Sequence, residues 1–196
     1  MKLTYTSLIG IMVLITGSLF LGGYYFMSFV SSCFVVPEIT TDISSYEKIR
    51  TEWSNSGLAD HFPSAIPKSA TNTRLSYVPG FLQGGAHFQL RITLPPKDVE
   101  EIERKYAPLA RHKYHGGDRM VHANEPNGVP TTFFYTNADS ISKDSMPHDT
   151  FPEYFSIYVL KANPAGTTGI SWNHGSTAGI AISRQTNEVV YWCESW

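Results

Sequence analysis

The first 37 residues of the chain carry almost no charge, because Lys2 is the only Lys, Arg, Asp or Glu among them. The 23 residues from Leu8 to Val30 have no charged side chain and are rich in Leu, Ile, Val and Phe. As a helix they would be about 34 Å long at ~1.5 Å per residue, enough to cross a bilayer core. They also lack the polar stripe of a helix that packs on a soluble core. We therefore expect residues 1–36 to form an N-terminal membrane helix or signal segment.

An excess of positive charge is missing as well. Beyond Pro37 the chain has 14 Lys and Arg against 17 Asp and Glu, whereas a nucleic-acid binder needs a strong basic excess to neutralise phosphates. Nucleic acid is therefore not an expected partner. A chain of 196 residues suits one domain beyond the anchor, here residues 37–196. With Lys2 before the apolar segment, the positive-inside rule favours a cytoplasmic N-terminus and an extracytoplasmic domain.

Cysteine is scarce, and Cys33 follows the apolar segment directly. The stretch Val30-Ser31-Ser32-Cys33 resembles a bacterial lipobox, and the resemblance implies cleavage before Cys33 and a diacylglycerol on its thiol. Ordinary signal cleavage after Ser32 is a second alternative. We favour a third, an uncleaved single-pass anchor, because the apolar run exceeds the 7–15 residues typical of a signal core.

The only other cysteine, Cys193, lies close to the C-terminus. An extracytoplasmic domain permits disulfides, and a bridge from Cys33 to Cys193 would close a loop of about 160 residues, worth several kcal/mol in the chain-entropy model. We favour the simpler interpretation that Cys193 is a small buried hydrophobic residue.

Two amphipathic helices are predicted in the domain. Ser44 and Glu47 have the spacing of a capping box, which predicts a helix over 45–56 that ends at Gly57. The stretch PKDVEEIERKYAPL begins with proline, has acids in its first turn and stops at Pro108. These features are typical of a second helix.

Strands are predicted by alternation and by β-branched and aromatic residues. TRLSYVPGFLQGGAHFQLRITLP predicts two strands around a turn, TTFFYT (131–136) and EYFSIYVLKA (153–162) predict two more, and the C-terminus predicts a hairpin around 184–187. We expect an α+β fold with an antiparallel sheet of five to seven strands packed with the two helices. One sheet face is expected to carry Leu90, Ile92, Phe134, Ile157, Val159, Ile180, Ile182 and Val190.

A polar stretch from Arg111 to His122 holds the most suggestive side chains. Four of them form a candidate tetrahedral zinc set: His112, His115, His122 and Asp118. Neighbouring Arg and Lys side chains would repel a dication, so we favour a solvated loop. A further alternative is an anion-binding surface, in which the five basic residues from Arg104 to Arg119 meet phosphate headgroups or an acidic polymer.

Catalytic motifs are not evident. Ser176 lies two residues after His174, but the surrounding NHGSTAG does not fit the nucleophile-elbow pattern, and its glycines more simply predict a turn between strands. We assign no catalytic residue and no cofactor. The expected function is a membrane-anchored extracytoplasmic binding or interaction module at the cell envelope, with an envelope protein or polymer as candidate partner. The alternative is a membrane-tethered hydrolase or a metal-binding protein.

Overall fold

The computed structural model describes residues 39–80, 85–117, 128–130, 132, 134–135, 151–167 and 170–196. The chain divides between Val36 and Pro37, and the fold described here is that of the second part. The predicted membrane segment, Leu8 to Val30, lies outside the described residues. Within them, no helix is long and apolar enough to cross a membrane.

A single six-stranded antiparallel sheet forms the centre of the domain. Its strands, in chain order, are β1 (Thr71–Val78), β2 (Ala86–Thr93), β3 (His112–His115), β4 (Ser156–Thr167), β5 (Ile170–Ser183) and β6 (Glu188–Ser195). They are arranged in the order β1-β2-β6-β5-β4-β3, so the C-terminal hairpin β5-β6 lies in the middle. The α+β class with an antiparallel sheet and two helices is confirmed.

The first helix, α1 (Tyr46–Ser54), follows a 3₁₀ turn at Ile43–Ser45. The predicted capping box is wrong in detail. Asp42 accepts the backbone N–H of Ser44 at 3.0 Å and its hydroxyl at 2.6 Å, while the N-cap of α1 is Ser45, which makes no side-chain cap hydrogen bond. These hydrogen bonds stabilise the ionised carboxylate and lower the pKa of Asp42.

The second helix, α2 (Pro96–Tyr106), matches its prediction. Pro96 lies at its start, Asp98 is in the first turn and Arg104 and Lys105 are in the last, each complementing the helix dipole. A 3₁₀ turn at Ala107–Leu109 follows.

The sheet is buried on both faces, which corrects the expectation of one core face. The face that carries the helices, here called the helical face, includes Leu90, Ile92, Ile180 and Ile182. The remaining members of the predicted face pack on the other side, called the opposite face: Phe134, Ile157, Val159 and Val190. Successive side chains of a strand point to opposite faces. When both faces are buried, the strand shows no alternation of polar and apolar residues, so the sequence does not tell which residues share a face.

Three local predictions differ from the structure. His112–His115, expected in a loop, forms the edge strand β3, whose antiparallel partner β4 begins 44 residues later in the chain. The described residues of the predicted strand at 131–136, which are Thr132, Phe134 and Tyr135, are not in a strand. Phe134 and Tyr135 instead cover the opposite face, which accounts for the aromatic character of that stretch. Ser176, expected in a turn, lies within β5.

Candidate functional site

A cleft opens on the helical face, between α2, the connector 55–70 and the sheet. It has a volume of about 490 Å³ and adjoins a second cavity of about 350 Å³. Four residues line both cavities: Asp60, His61, Lys105 and Tyr106. We call the two cavities together the cleft. The larger volume is typical of small-molecule sites, which run from roughly 300 to 1,000 Å³.

His61 is the most constrained polar residue of the cleft. Its Nε2 lies 2.8 Å from the carbonyl oxygen of Gly179 and 3.1 Å from that of Trp192. Both oxygens are acceptors, so Nε2 carries the proton and Nδ1 has the free lone pair. Burial lowers the pKa of His61 to about 4, so the ring is neutral at pH 7. The cleft is therefore lined by a fixed, neutral imidazole whose acceptor nitrogen is Nδ1.

The surrounding structure holds His61 in place. The hydroxyl of Tyr106 donates to the carbonyl oxygen of His61 at 3.0 Å, which joins α2 to the connector. The next residue, Phe62, stacks on Phe88 with ring centroids 4.4 Å apart and planes at 8°. At Gly179 a Cβ would lie 2.3 Å from the ring of Trp192, so only glycine permits this approach of β5 to β6.

Charged side chains line the cleft at both signs. Arg50 on α1 has a buried Nε with no hydrogen-bond partner among the described residues. Lys105 lies with its Nζ 4.8 Å from the ring centroid of Tyr106. On the acidic side, Asp98 accepts a hydrogen bond from the hydroxyl of Ser69 at 3.1 Å. A buried N–H without a partner costs roughly 1–3 kcal/mol, so an acceptor that reached the Nε of Arg50 would remove that cost.

The second cavity has its own ion pair. Lys161 lies 3.5 Å from the carboxylate of Asp60, and its ammonium also donates to the carbonyl oxygen of Gly57. Both side chains are more than a third exposed, so solvent screens the pair and it contributes little to stability. Its effect is to neutralise Asp60 at the mouth of the cleft.

The rest of the lining is largely apolar. Its apolar members are Phe62, Pro63, Pro67, Leu94, Ile102 and Tyr191, and they lie beside Ser64 and a third carboxylate, that of Glu101. An apolar wall with a few fixed polar groups is the usual composition of a ligand pocket. The arrangement accommodates the body of a ligand and orients its polar ends.

Acyl-transfer chemistry finds little support in the cleft. A histidine base must meet the nucleophile that it activates, but within the described residues the ring of His61 hydrogen-bonds to two backbone carbonyls and to no hydroxyl or thiol. Ser64 also lines the cleft, and no hydrogen bond joins it to His61 within the described chain. The geometry is better suited to binding than to bond cleavage.

The predicted lipid and disulfide sites are untested. Cys33 lies outside the described residues. Cys193 is completely buried in the core of the helical face, and this burial raises the pKa of its thiol well above the usual value. Lipid attachment at Cys33 and a bridge to Cys193 both stay predictions.

The predicted zinc set is only partly described. His112 and His115 are exposed on β3, three residues apart, and the alternation of a strand places them on opposite sides. Asp118 and His122 lie outside the described residues. In the part of the chain that the structure does describe, no group of three or more His, Cys, Asp or Glu could hold a metal ion. The metal site as a whole stays a prediction.

The candidate serine nucleophile is also placed. Asn163 on β4 directs its amide nitrogen at the hydroxyl of Ser176 from 3.5 Å. The side chain of His174 is outside the description, so no base is assigned to this serine.

The sequence did not indicate the cleft. Arg50 and His61 belong to no motif, and no local pattern marks the connector as part of a site. Comparison with protein-family models, curated proteins and solved structures finds no match to this chain. Function is therefore inferred from the geometry of the cleft itself.

Proposed function

We propose that the protein is a membrane-anchored binding module whose extracytoplasmic domain holds an acidic ligand in the cleft. The observation that carries this proposal is Arg50, which lines a cavity of ligand size and whose buried Nε lacks a partner within the described chain. A guanidinium pairs well with a carboxylate or phosphate because its N–H groups match two oxygens. Lys105, on the facing helix, adds a second cation.

The neutral His61 adds a second requirement for the ligand. Its Nδ1 can only accept a hydrogen bond while the ring is uncharged, so it selects a ligand with a hydroxyl, amide or amine donor. The apolar wall between these groups favours a compact hydrophobic body. A small molecule or the acidic end of an envelope polymer or protein meets all three conditions.

The anchoring half of the proposal is supported by the uncharged run from Leu8 to Val30. Single-pass and lipid-anchored forms both place the domain at the cell membrane. Intact-mass measurement separates them, since a shortened chain that begins at a diacylated Cys33 would exclude the retained helix.

Ligand binding is tested by thermal unfolding of the full chain in detergent micelles with a panel of cyclic carboxylic acids and phosphate monoesters. Each acid is paired with its neutral amide or alcohol. We expect some acids to raise the unfolding temperature and their neutral partners to have no effect, because binding to the folded state stabilises it. Arg50→Met should abolish the shift.

The matched control is Arg74→Met, which removes an exposed arginine outside the cleft and should leave the shift unchanged. The proposal fails if no acid stabilises the protein, or if acids stabilise the Arg50→Met and wild-type chains equally.

A further inference from the structure

A strongly basic surface borders the cleft at the end of α2. Residues 104–117 include four Lys or Arg and no Asp or Glu, while the rest of the chain beyond Pro37 has ten Lys or Arg against 17 acids. All four cations are exposed: Arg104, Lys105, Arg111 and Lys113. We call residues 104–113 the basic strip. It is positively charged on a domain that is otherwise acidic.

An exposed leucine lies in the middle of the basic strip. Leu109 ends the 3₁₀ turn after α2 and is 63% exposed, with two cations on either side of it in the sequence. One exposed leucine is ordinary on a soluble surface. Its position between two pairs of cations is what an interfacial membrane contact requires, because the apolar side chain enters the headgroup layer while the cations meet phosphates.

Three residues of the basic strip project to the same side of the sheet. Lys113 pairs with Tyr158 across β3 and β4, and Tyr158 is buried in the core of the helical face. Directly paired residues share a face, so Lys113 also lies on the helical side. Lys105 and Leu109 line the cleft on that side. Lys105, Leu109 and Lys113 therefore lie on one side of the sheet.

The acid that precedes the basic strip is already engaged. Glu103 accepts a hydrogen bond from the hydroxyl of Tyr158 and forms an ion pair with Arg184. It is consequently not available to neutralise Lys105 or Arg104. Glu100 and Glu101 lie one helical turn before Arg104 and Lys105, so Arg111 and Lys113 are the cations of the basic strip best placed to meet an external anion.

We propose that the basic strip docks on an anionic phospholipid surface, with Leu109 at the interface. This inference rests on the anchoring part of the proposed function, since only a tethered domain stays beside a bilayer. A tether of eight residues between the predicted membrane segment and Ile39 would keep the domain close to the bilayer, so weak attractions suffice.

The test measures amide hydrogen exchange of residues 104–113 in the full chain, reconstituted into nanodiscs of phosphatidylcholine alone or mixed with phosphatidylglycerol. We expect slower exchange in the anionic discs. Arg111→Gln with Lys113→Gln should weaken the docked state by roughly 25-fold, about fivefold for each cation lost. These two side chains lie outside the cleft lining, so ligand binding should be unaffected.

A double variant with equal charge loss serves as the control. Lys48→Gln with Lys68→Gln removes two exposed cations from elsewhere and should leave the protection intact. Equal exchange in both discs, or equal loss of protection in the control, would overturn docking while the anchor stands. Protection that appears only with a soluble polyanion would assign the basic strip to an acidic polymer and also overturn it. A chain that enters neither disc would overturn the anchor and the docking together.

Discussion

The two faces of the sheet differ in whether their arginine side chain has a charged partner. On the helical face, Arg50 borders an open cleft with a buried N–H that has no partner in the described chain. On the opposite face, Arg91 is paired with Glu188 beneath aromatic side chains. Both arginines belong to the same small domain and are partly buried. The difference indicates that a satisfied charge supports the fold, whereas an unsatisfied one is available to a ligand.

Several neighbouring groups contact the Arg91–Glu188 ion pair on the opposite face. Nε of Arg91 donates to Glu188 at 2.6 Å, and its guanidinium carbon lies 5.0 Å from the ring centroid of Tyr135. The hydroxyl of Thr186 donates to the second carboxylate oxygen of Glu188 at 2.9 Å. The side chains of Arg91 and Glu188 are only 18% and 6% exposed. Removing either side chain would leave the other charge buried without a counter-ion.

The largest expected effect therefore comes from Arg91→Leu. Since it leaves the carboxylate of Glu188 buried without its cation, we expect a loss of roughly 3–5 kcal/mol in the free energy of unfolding, measured by urea denaturation. Changing both residues to leucine should recover most of that loss, because no charge is then stranded. A single variant that costs less than about 1 kcal/mol would show that solvent already reaches this pair.

A second carboxylate on the same face makes the comparison sharper. Glu194 is buried, accepts a hydrogen bond from the amide of Gln89 at 3.4 Å, and forms no ion pair within the described residues. Burial raises its pKa to about 8. The folded state therefore holds a proton that the unfolded state loses near pH 4.5, and stability should fall as pH rises from there to about 8.

Between pH 7 and 8, the change of stability with pH is expected to come from Glu194. Burial also lowers the pKa of His61 and His87 to about 4, and that contribution to stability rises with pH but is complete above about 6.5. Between pH 7 and 8 we expect wild-type stability to decrease. Glu194→Gln should be flat there and more stable at pH 8, by on the order of 2 kcal/mol. An unchanged slope in the variant would assign the titration to another group.

The smallest effect is expected at the cleft wall. Tyr106→Phe removes the hydroxyl that donates to the carbonyl oxygen of His61 and should cost about 1 kcal/mol in thermal or urea unfolding. Tyr154→Phe is the control, because Tyr154 is exposed and should change stability very little. If the two variants lose the same stability, the hydrogen bond from Tyr106 does not hold His61 in place.

The parts of the fold that the sequence predicted are those with local signals. β1, β2, α2 and the C-terminal hairpin follow from alternation, helical spacing and turn residues within short windows. β3 was missed because its pairing with β4 is set by distant residues and its exposed edge has no apolar alternation. The sequence did not predict that the core is divided between two faces, because both faces are buried and neither has a polar pattern.

The cleft depends on contacts that are distant in the sequence. His61 meets carbonyl oxygens 118 and 131 residues further along the chain, those of Gly179 and Trp192. No spacing within the connector encodes such a contact. A sequence reading could identify the charged residues but not that Arg50 would be left without a partner while Arg91 would find Glu188.

The most direct test of the account is a crystal structure of the full chain with the acid that stabilises it most. We predict that the acidic group contacts Arg50 and Lys105 and that a donor of the ligand reaches Nδ1 of His61, while the opposite face is unchanged. A ligand bound elsewhere, with the cleft empty, would contradict the assignment of the helical face as the binding face.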